Sequence, residues 1–176
     1  MPNDINVLRI QSTDSNFHAR HDAVARYYLY QIATRRTAFG KPFVWWIKDR
    51  LDADAMARAA EMIVGRHDFR SFSERDEKQP STIVHVERAE FAVIGSLLVF
   101  RIGASHFLWK MVRRLVGTLA ELGRGKLTLK DFEKLLVNYS NQPAALTAPP
   151  SGLFLEQILY PGDVLPTNIE PAFSVK

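Results

Sequence analysis

Between His106 and Leu122 lie Phe107, Leu108, Trp109, Met111, Val112, Leu115, Val116, Leu119 and Leu122, nine large apolar residues in seventeen positions. Wound as a helix, this stretch leaves His106, Lys110, Arg113, Arg114, Gly117 and Glu121 within one arc of about 100°. Such a helix is buried on most sides, and its single polar stripe is mostly cationic. Two meanings of the stripe stay open on periodicity alone. Arg113 and Arg114 beside a glycine could line a basic groove that an anion approaches closely. They could equally mark a solvated edge, their stems covering apolar neighbours.

The rest of the chain supplies a partner for this helix. Period-2 or β-rich runs predict strands at Ile5–Ile10, Val24–Ile32, Thr82–Ala92, Leu97–Ile102 and Phe154–Tyr160. Three segments repeat with helical period. Asp52 or Asp54 can cap a helix with Met56, Ala59, Ala60, Ile63 and Val64 on one face and Gly65 as its stop. Ser105 can cap the second, ending at Gly123. Thr128 can cap the third in a capping box with Asp131, with Leu129, Phe132, Leu135 and Leu136 inward. The stretches Ser71–Ser81 and Asn141–Gly152 are expected loops. Neighbouring strands at 82–102 are hairpin-like, so the expected fold class is α+β, an antiparallel or mixed sheet covered by helices on one face. One domain is expected over 1–161, followed by an irregular tail over 162–176.

Composition narrows the function. The 176 residues include no cysteine, which excludes disulfide scaffolds, thiolate metal sites and thiol nucleophiles. No apolar run reaches the roughly 18 residues of a membrane span. The start has no basic n-region and no apolar core, so it does not look like a signal peptide, and cytoplasm is the expected compartment. Net charge is +4, unevenly spread: eight basic against four acidic residues in 1–50, six against nine in 51–100, and nine against six in 101–176. Basic ends around an acidic middle suit a polyanion-facing surface, weakly.

Within the second strand run, alternation sets Arg26, Tyr28 and Tyr30 on one face and Tyr27 and Leu29 on the other. An Arg with two tyrosines can stack bases and contact phosphates, or simply reflect the preference of aromatics for strands. His18, His21, His67, His85 and His106 form no ligand set, and no metal or cofactor is expected. The sequence contains no P-loop, GxGxxG or GxSxG. Gly123-Arg124-Gly125-Lys126 lacks the flanking strand and Ser/Thr of a phosphate loop.

Four ordered segments resemble the tRNA pseudouridine synthase A family. Phe17-His18-Ala19-Arg20 with Ala25-Arg26-Tyr27-Tyr28-Leu29-Tyr30 resembles its FHARF…ARxYxY segment. Gly65-Arg66-His67-Asp68-Phe69-Arg70-Ser71-Phe72 is similar to its GxxDFTSF segment. Phe107 to Gly117 resembles its FxxxMVRx[IL]VG helix, and Thr147-Ala148-Pro149-Pro150-Ser151-Gly152-Leu153-Phe154-Leu155 with Tyr160-Pro161 resembles its TAPAxGLYL…YP closing strand. Together these span about residues 5–161.

The resemblance implies a cofactor-free, metal-free homodimer that converts uridines of the tRNA anticodon stem-loop to pseudouridine, after flipping the base from its stack. It implies that Tyr28 stacks on the target base, that Arg113 pairs with a catalytic aspartate, and that Leu153 is part of the apolar wall. Arg26, Lys110, Arg114 and His106 are the further expected substrate contacts, with tRNA as partner. The family carries its aspartate in a GRTDxGVH loop upstream of the segment matching Phe17. None of the ten aspartates here has that surrounding pattern. Pro2-Asn3-Asp4-Ile5-Asn6-Val7 resembles the family's LPxDIxV link leaving its first half. The chain is therefore expected to correspond to the C-terminal half and to be inactive alone, or else to be a non-catalytic RNA-binding module, a degenerate homologue, or a structural or assembly domain whose cationic stripe is merely solvated. At Trp109-Lys110 the family often has histidines, a departure that touches local substrate contacts.

Overall fold

The computed structural model describes residues 2–3, 5–74 and 80–175. Met1, Asp4 and the middle of the expected 71–81 loop therefore lie outside the described residues. One six-stranded sheet organises the chain. Its path runs β2 (Trp45–Trp46), β1 (Ala25–Ala33), β5 (Leu97–Ala104), β4 (Ile83–Ile94), β3 (Gly65–Asp68), with β6 (Leu153–Leu159) also paired to β1. All pairings are antiparallel except β1 with β2, so the sheet is mixed. β1 is the spine. β5 fills one edge over its whole length, while β6 and β2 share the other, β6 pairing Ala25–Tyr30 and β2 pairing Ile32–Ala33.

Gly152 sits where β6 and β2 part. Its φ of +97° suits only glycine without strain, and an added Cβ would lie 2.7 Å from the Gln31 carbonyl oxygen.

Helices cover one face. α1 (Ala53–Glu61), α2 (Met111–Gly123) and α3 (Leu129–Val137) bury Met56, Leu115, Leu119 and Phe132 against Tyr30, Ile32, Val86, Phe100 and Ile102. The chain thus has the expected α+β architecture, with its helices on one face. Two of the expected caps form. The Asp52 side chain accepts from Ala55 N–H, and Thr128 and Asp131 complete a reciprocal capping box. The Thr128 hydroxyl and backbone N–H donate to the Asp131 carboxylate and hold its pKa below the usual range.

The opposite face carries Leu29, Val44, Leu97 and Val99, with Ile169 and Val175 of the tail packed on it. The tail is irregular, yet anchored. Arg101, 1% exposed, grips Glu156 with Nε and Nη2 at 3.0 and 2.5 Å. The same guanidinium donates to the carbonyls of Pro166 and Asn168 at 3.1 and 2.8 Å. Gln31 exchanges side-chain hydrogen bonds with the backbone of Phe173.

Several expectations are corrected. Ile5–Ile10 forms no strand. Its apolar residues find no sheet edge, and Leu8 and Ile10 are 89% and 87% exposed. α1 ends at Glu61 rather than at Gly65, which instead opens β3. Val64 is exposed while Ile63 is buried. A short helix, α4 (Gln142–Ala145), interrupts the 141–152 loop. The largest correction is to the apolar helix, which begins at Met111 and not after Ser105. Ser105 serves other partners: its hydroxyl meets His106 Nδ1 at 3.1 Å and its carbonyl accepts from Arg26. Lys110 then turns the chain with φ +63°, a left-handed conformation incompatible with a helix running through it.

Candidate functional site

The irregular segment 106–110 and the first turn of α2 meet β1 and the start of β6 around a cavity of about 450 Å³. Tyr28 comes from β1, Lys110 and Arg113 from the entry to α2, and Leu153 from β6; Phe107, Leu108, Trp109, Met111 and Val112 complete the wall. A space of this size suits a small ligand or a single base, with an apolar lining and few polar groups. Among the described residues, no Asp or Glu is in its lining.

Each side chain has a local cause. Alternation along β1 aims Tyr28 at the helix side, where its half-buried ring meets Phe107 edge-on at 4.9 Å. Tyr30, two residues on, is fully buried, and its hydroxyl donates to the Pro149 carbonyl at 2.7 Å. Burial drives its phenol pKa far upward; nearby Arg113 only partly opposes this. Tyr30 is therefore a core residue that supports the 149–150 loop and has no face left for a base.

Arg113 is half-buried on α2. Its Nε donates to the Ala148 carbonyl at 2.7 Å, and its own carbonyl accepts from Ala148 N–H at 3.0 Å. Gly117 permits this. An added Cβ there would lie 1.6 Å from the Leu146 carbonyl oxygen, so only glycine lets the loop lie this close to the helix. Gly117 is consequently buried, where a member of a solvated stripe would be exposed.

Lys110 and Arg114 share one acid at the rim. Lys110 Nζ lies 2.5 Å from Glu74 Oε2, and Arg114 Nη2 lies 3.9 Å from the same oxygen. The Lys110 hydrogen bond, aided by the charges of both cations, holds the exposed Glu74 carboxyl below its usual pKa. Arg114 is otherwise half-buried. It donates to the Ser73 carbonyl, and its Nε has no partner among the described residues.

Tyr28, Lys110, Arg113 and Leu153 are thus brought together, and three expected contacts are not in the wall. Arg26 donates to the carbonyls of Ala23 and Ser105 at 2.8 and 2.7 Å and to that of Arg20, which ties the 20–23 turn to β1. His106 is engaged by Ser105, and Arg114 points to the 73–74 segment. Phe107, Trp109 and Glu74 were missed as site residues. The continuous apolar pattern hid a left-handed turn at Lys110, and Glu74 is tied to the site by tertiary contacts, its N–H to the Trp109 carbonyl and its carboxylate to Lys110 and Arg114.

Comparison with known proteins gives a consistent answer. A family model described as tRNA pseudouridine synthase matches residues 59–161. A tRNA pseudouridine synthase A of Bacteroides thetaiotaomicron is 36% identical over 167 residues, covering 93% of this chain and 62% of the relative. That of Treponema denticola is also 36% identical over 167 residues, covering 94% and 62%. That of Parabacteroides distasonis is 35% identical over 168 residues, covering 96% and 67%. The chain therefore spans about two thirds of the length of these relatives, or slightly less. A match over more than half the chain, concordant with these relatives, means that it belongs to the tRNA pseudouridine synthase family.

Proposed function

We propose that this chain supplies the RNA-binding, C-terminal part of a pseudouridine synthase active site, acting on uridine in the anticodon stem-loop of tRNA. One observation carries the reading: Tyr28, Arg113 and Leu153, far apart in sequence, line one base-sized cavity. In this reading Tyr28 stacks on the flipped uracil, Leu153 closes the apolar wall, and Arg113 orients a carboxylate that lies outside this chain. The absence of Asp and Glu from the lining among the described residues supports that last assignment, because a guanidinium there has no described nucleophile to position. Lys110 and Arg114 meet phosphate at the rim. The chemistry is an isomerisation in which the glycosidic bond is broken at nitrogen and remade at carbon, with no net change in atoms. The relatives' printed names support tRNA as substrate; a cytoplasmic homodimer fits that role.

The same lining, without Asp or Glu among the described residues, favours a second reading, an RNA-binding module without catalysis. Incubation of the chain in molar excess with an unmodified tRNA transcript, with pseudouridine measured afterwards, tests both. No product from this chain alone is expected, together with salt-sensitive binding of the stem-loop. Product restored by a polypeptide carrying a GRTD-type loop selects the enzyme reading; continued inactivity selects the binding module. Product from this chain alone overturns the assignment of the carboxylate, and absence of RNA binding overturns both readings.

A further inference from the structure

On the far side of the Pro149–Leu153 loop lies a second cavity, of about 700 Å³, that the proposed chemistry does not use. Arg36, Lys41, Trp46 and Ser151 line it, so Ser151 borders this space while Leu153 borders the uracil pocket. From Thr34 to Lys48 the sequence holds Arg35, Arg36, Lys41 and Lys48 and no acidic residue. Among the described residues none of these four cations is ion-paired, whereas Lys110, Arg114, Arg101 and Arg124 all are. The Arg36 guanidinium lies over the Trp46 ring, 5.5 Å from its centroid. Trp46 is 41% exposed and Phe39 91%.

Solvated cations alone would signify little. Here they are interleaved with exposed aromatic rings, and unpaired cations beside a half-exposed tryptophan are complementary to a ligand that is both planar and anionic. Single-stranded nucleic acid has both properties, bases that stack and phosphates that pair with cations. An acidic protein surface would satisfy the charges and leave the rings without a stacking partner.

We propose that Arg36, Lys41 and Trp46 form a second RNA subsite that stacks an unpaired base and holds its phosphates, next to the uracil pocket and separated from it by the Pro149–Leu153 loop. The subsite rests on the reading of this chain as an RNA binder, and it sets which nucleotides around the target uridine are held single-stranded. Trp46 lies on the opposite side of the sheet edge from Tyr28, paired beside Ala33. The RNA strand accordingly rounds the edge where β6 and β2 part.

The test is binding of a tRNA anticodon stem-loop to the full chain, followed by anisotropy over a salt series. Trp46→Ala weakens binding by about tenfold, whereas Trp46→Phe retains most of it. Arg36→Ala lowers the slope of log affinity against log salt by about 0.7, the share of one phosphate on single-stranded RNA. Melting curves of each variant matched to the parent assign the losses to binding. If Trp46→Ala and Arg36→Ala bind as the parent does while Arg113→Ala loses affinity, the subsite is overturned and the pocket reading stands. If the parent binds no RNA, both fall together. Competition by polyglutamate as strong as by RNA of equal charge also overturns the subsite, in favour of an acidic protein partner.

Discussion

Arg113 and Ala148 hold each other twice, Nε to carbonyl at 2.7 Å and N–H to carbonyl at 3.0 Å. The double bond-pair locks the guanidinium stem and leaves its Nη atoms free of any protein hydrogen bond among the described residues. Arg113→Ala removes those donors without opening the core. RNA affinity falls by about tenfold or more, as for loss of a charge-assisted contact, while the melting temperature moves little. Arg113→Lys keeps the charge but not the planar fork, and recovers only part of the affinity. Unchanged affinity in both variants would remove Arg113 from the site.

Tyr28 presents a ring, and its hydroxyl has no hydrogen-bond partner among the described residues. Tyr28→Phe therefore retains RNA binding, and Tyr28→Ala loses about 1–3 kcal/mol of stacking. Titration of a short uridine-containing RNA separates the two. Equal binding by both variants would make the ring a packing element only.

Glu74 pairs with Lys110 and Arg114, so in the proposed function it competes with RNA phosphate for them. Glu74→Gln should bind RNA more tightly than the parent, with a steeper salt dependence because two cations become available to phosphate. Acidification should act likewise. The Glu74 pKa is lowered in the folded protein, so its ion pair is intact above the ordinary carboxylate range and is lost as pH falls through the lowered value. The affinity difference between parent and Glu74→Gln should then vanish at low pH. A constant difference across that range would contradict the competition.

Gly117→Ala tests the close approach of helix and loop. A Cβ 1.6 Å from the Leu146 carbonyl oxygen forces the 146–148 segment away. The cost expected from overpacking is about 1–3 kcal/mol, read as a lower melting temperature. Arg113 would lose its Ala148 anchor, so RNA affinity should fall too. Full stability and affinity in this variant would mean that the loop yields freely.

Arg101→Met tests the tail. It strands Glu156 and releases the Pro166 and Asn168 carbonyls, and breaking one side of such a buried pair costs about 3–5 kcal/mol. Limited proteolysis should cut the tail between Pro161 and Val175 faster than in the parent. Equal cutting rates would show that apolar packing alone holds it.

Much of this was legible in the sequence, for identifiable reasons. The β1 alternation placed Tyr28 correctly because its period of two is independent of what pairs with it. The Thr128–Asp131 box was legible because a cap is made by neighbours in sequence. Leu153 and Arg113 came from ordered motifs. The 106–110 turn was not legible, since Phe107, Leu108 and Trp109 satisfy a helical pattern equally well when buried by tertiary contacts. The carbonyl partners of Arg26 and Tyr30, Ser105 and Pro149, were not legible because they are set by distant segments. β2 and β3 were missed as well: two tryptophans and a polar Gly-Arg-His-Asp run become strands only because β1 and β4 offer them an edge.

β1 has both of its edges occupied, Tyr28 facing Ile102 on one side and Leu155 on the other. The two ladders hold the backbone of Tyr28 on both sides, although the pairing with β6 shifts register between Tyr27 and Tyr28. In the proposed function the tyrosine therefore stands on a held strand, and the adjustment a nucleotide demands falls mainly to the 106–110 turn and the loop before Leu153. Hydrogen exchange on RNA addition should change at those two segments and stay constant along β1, which divides the pocket into one rigid wall and two compliant ones.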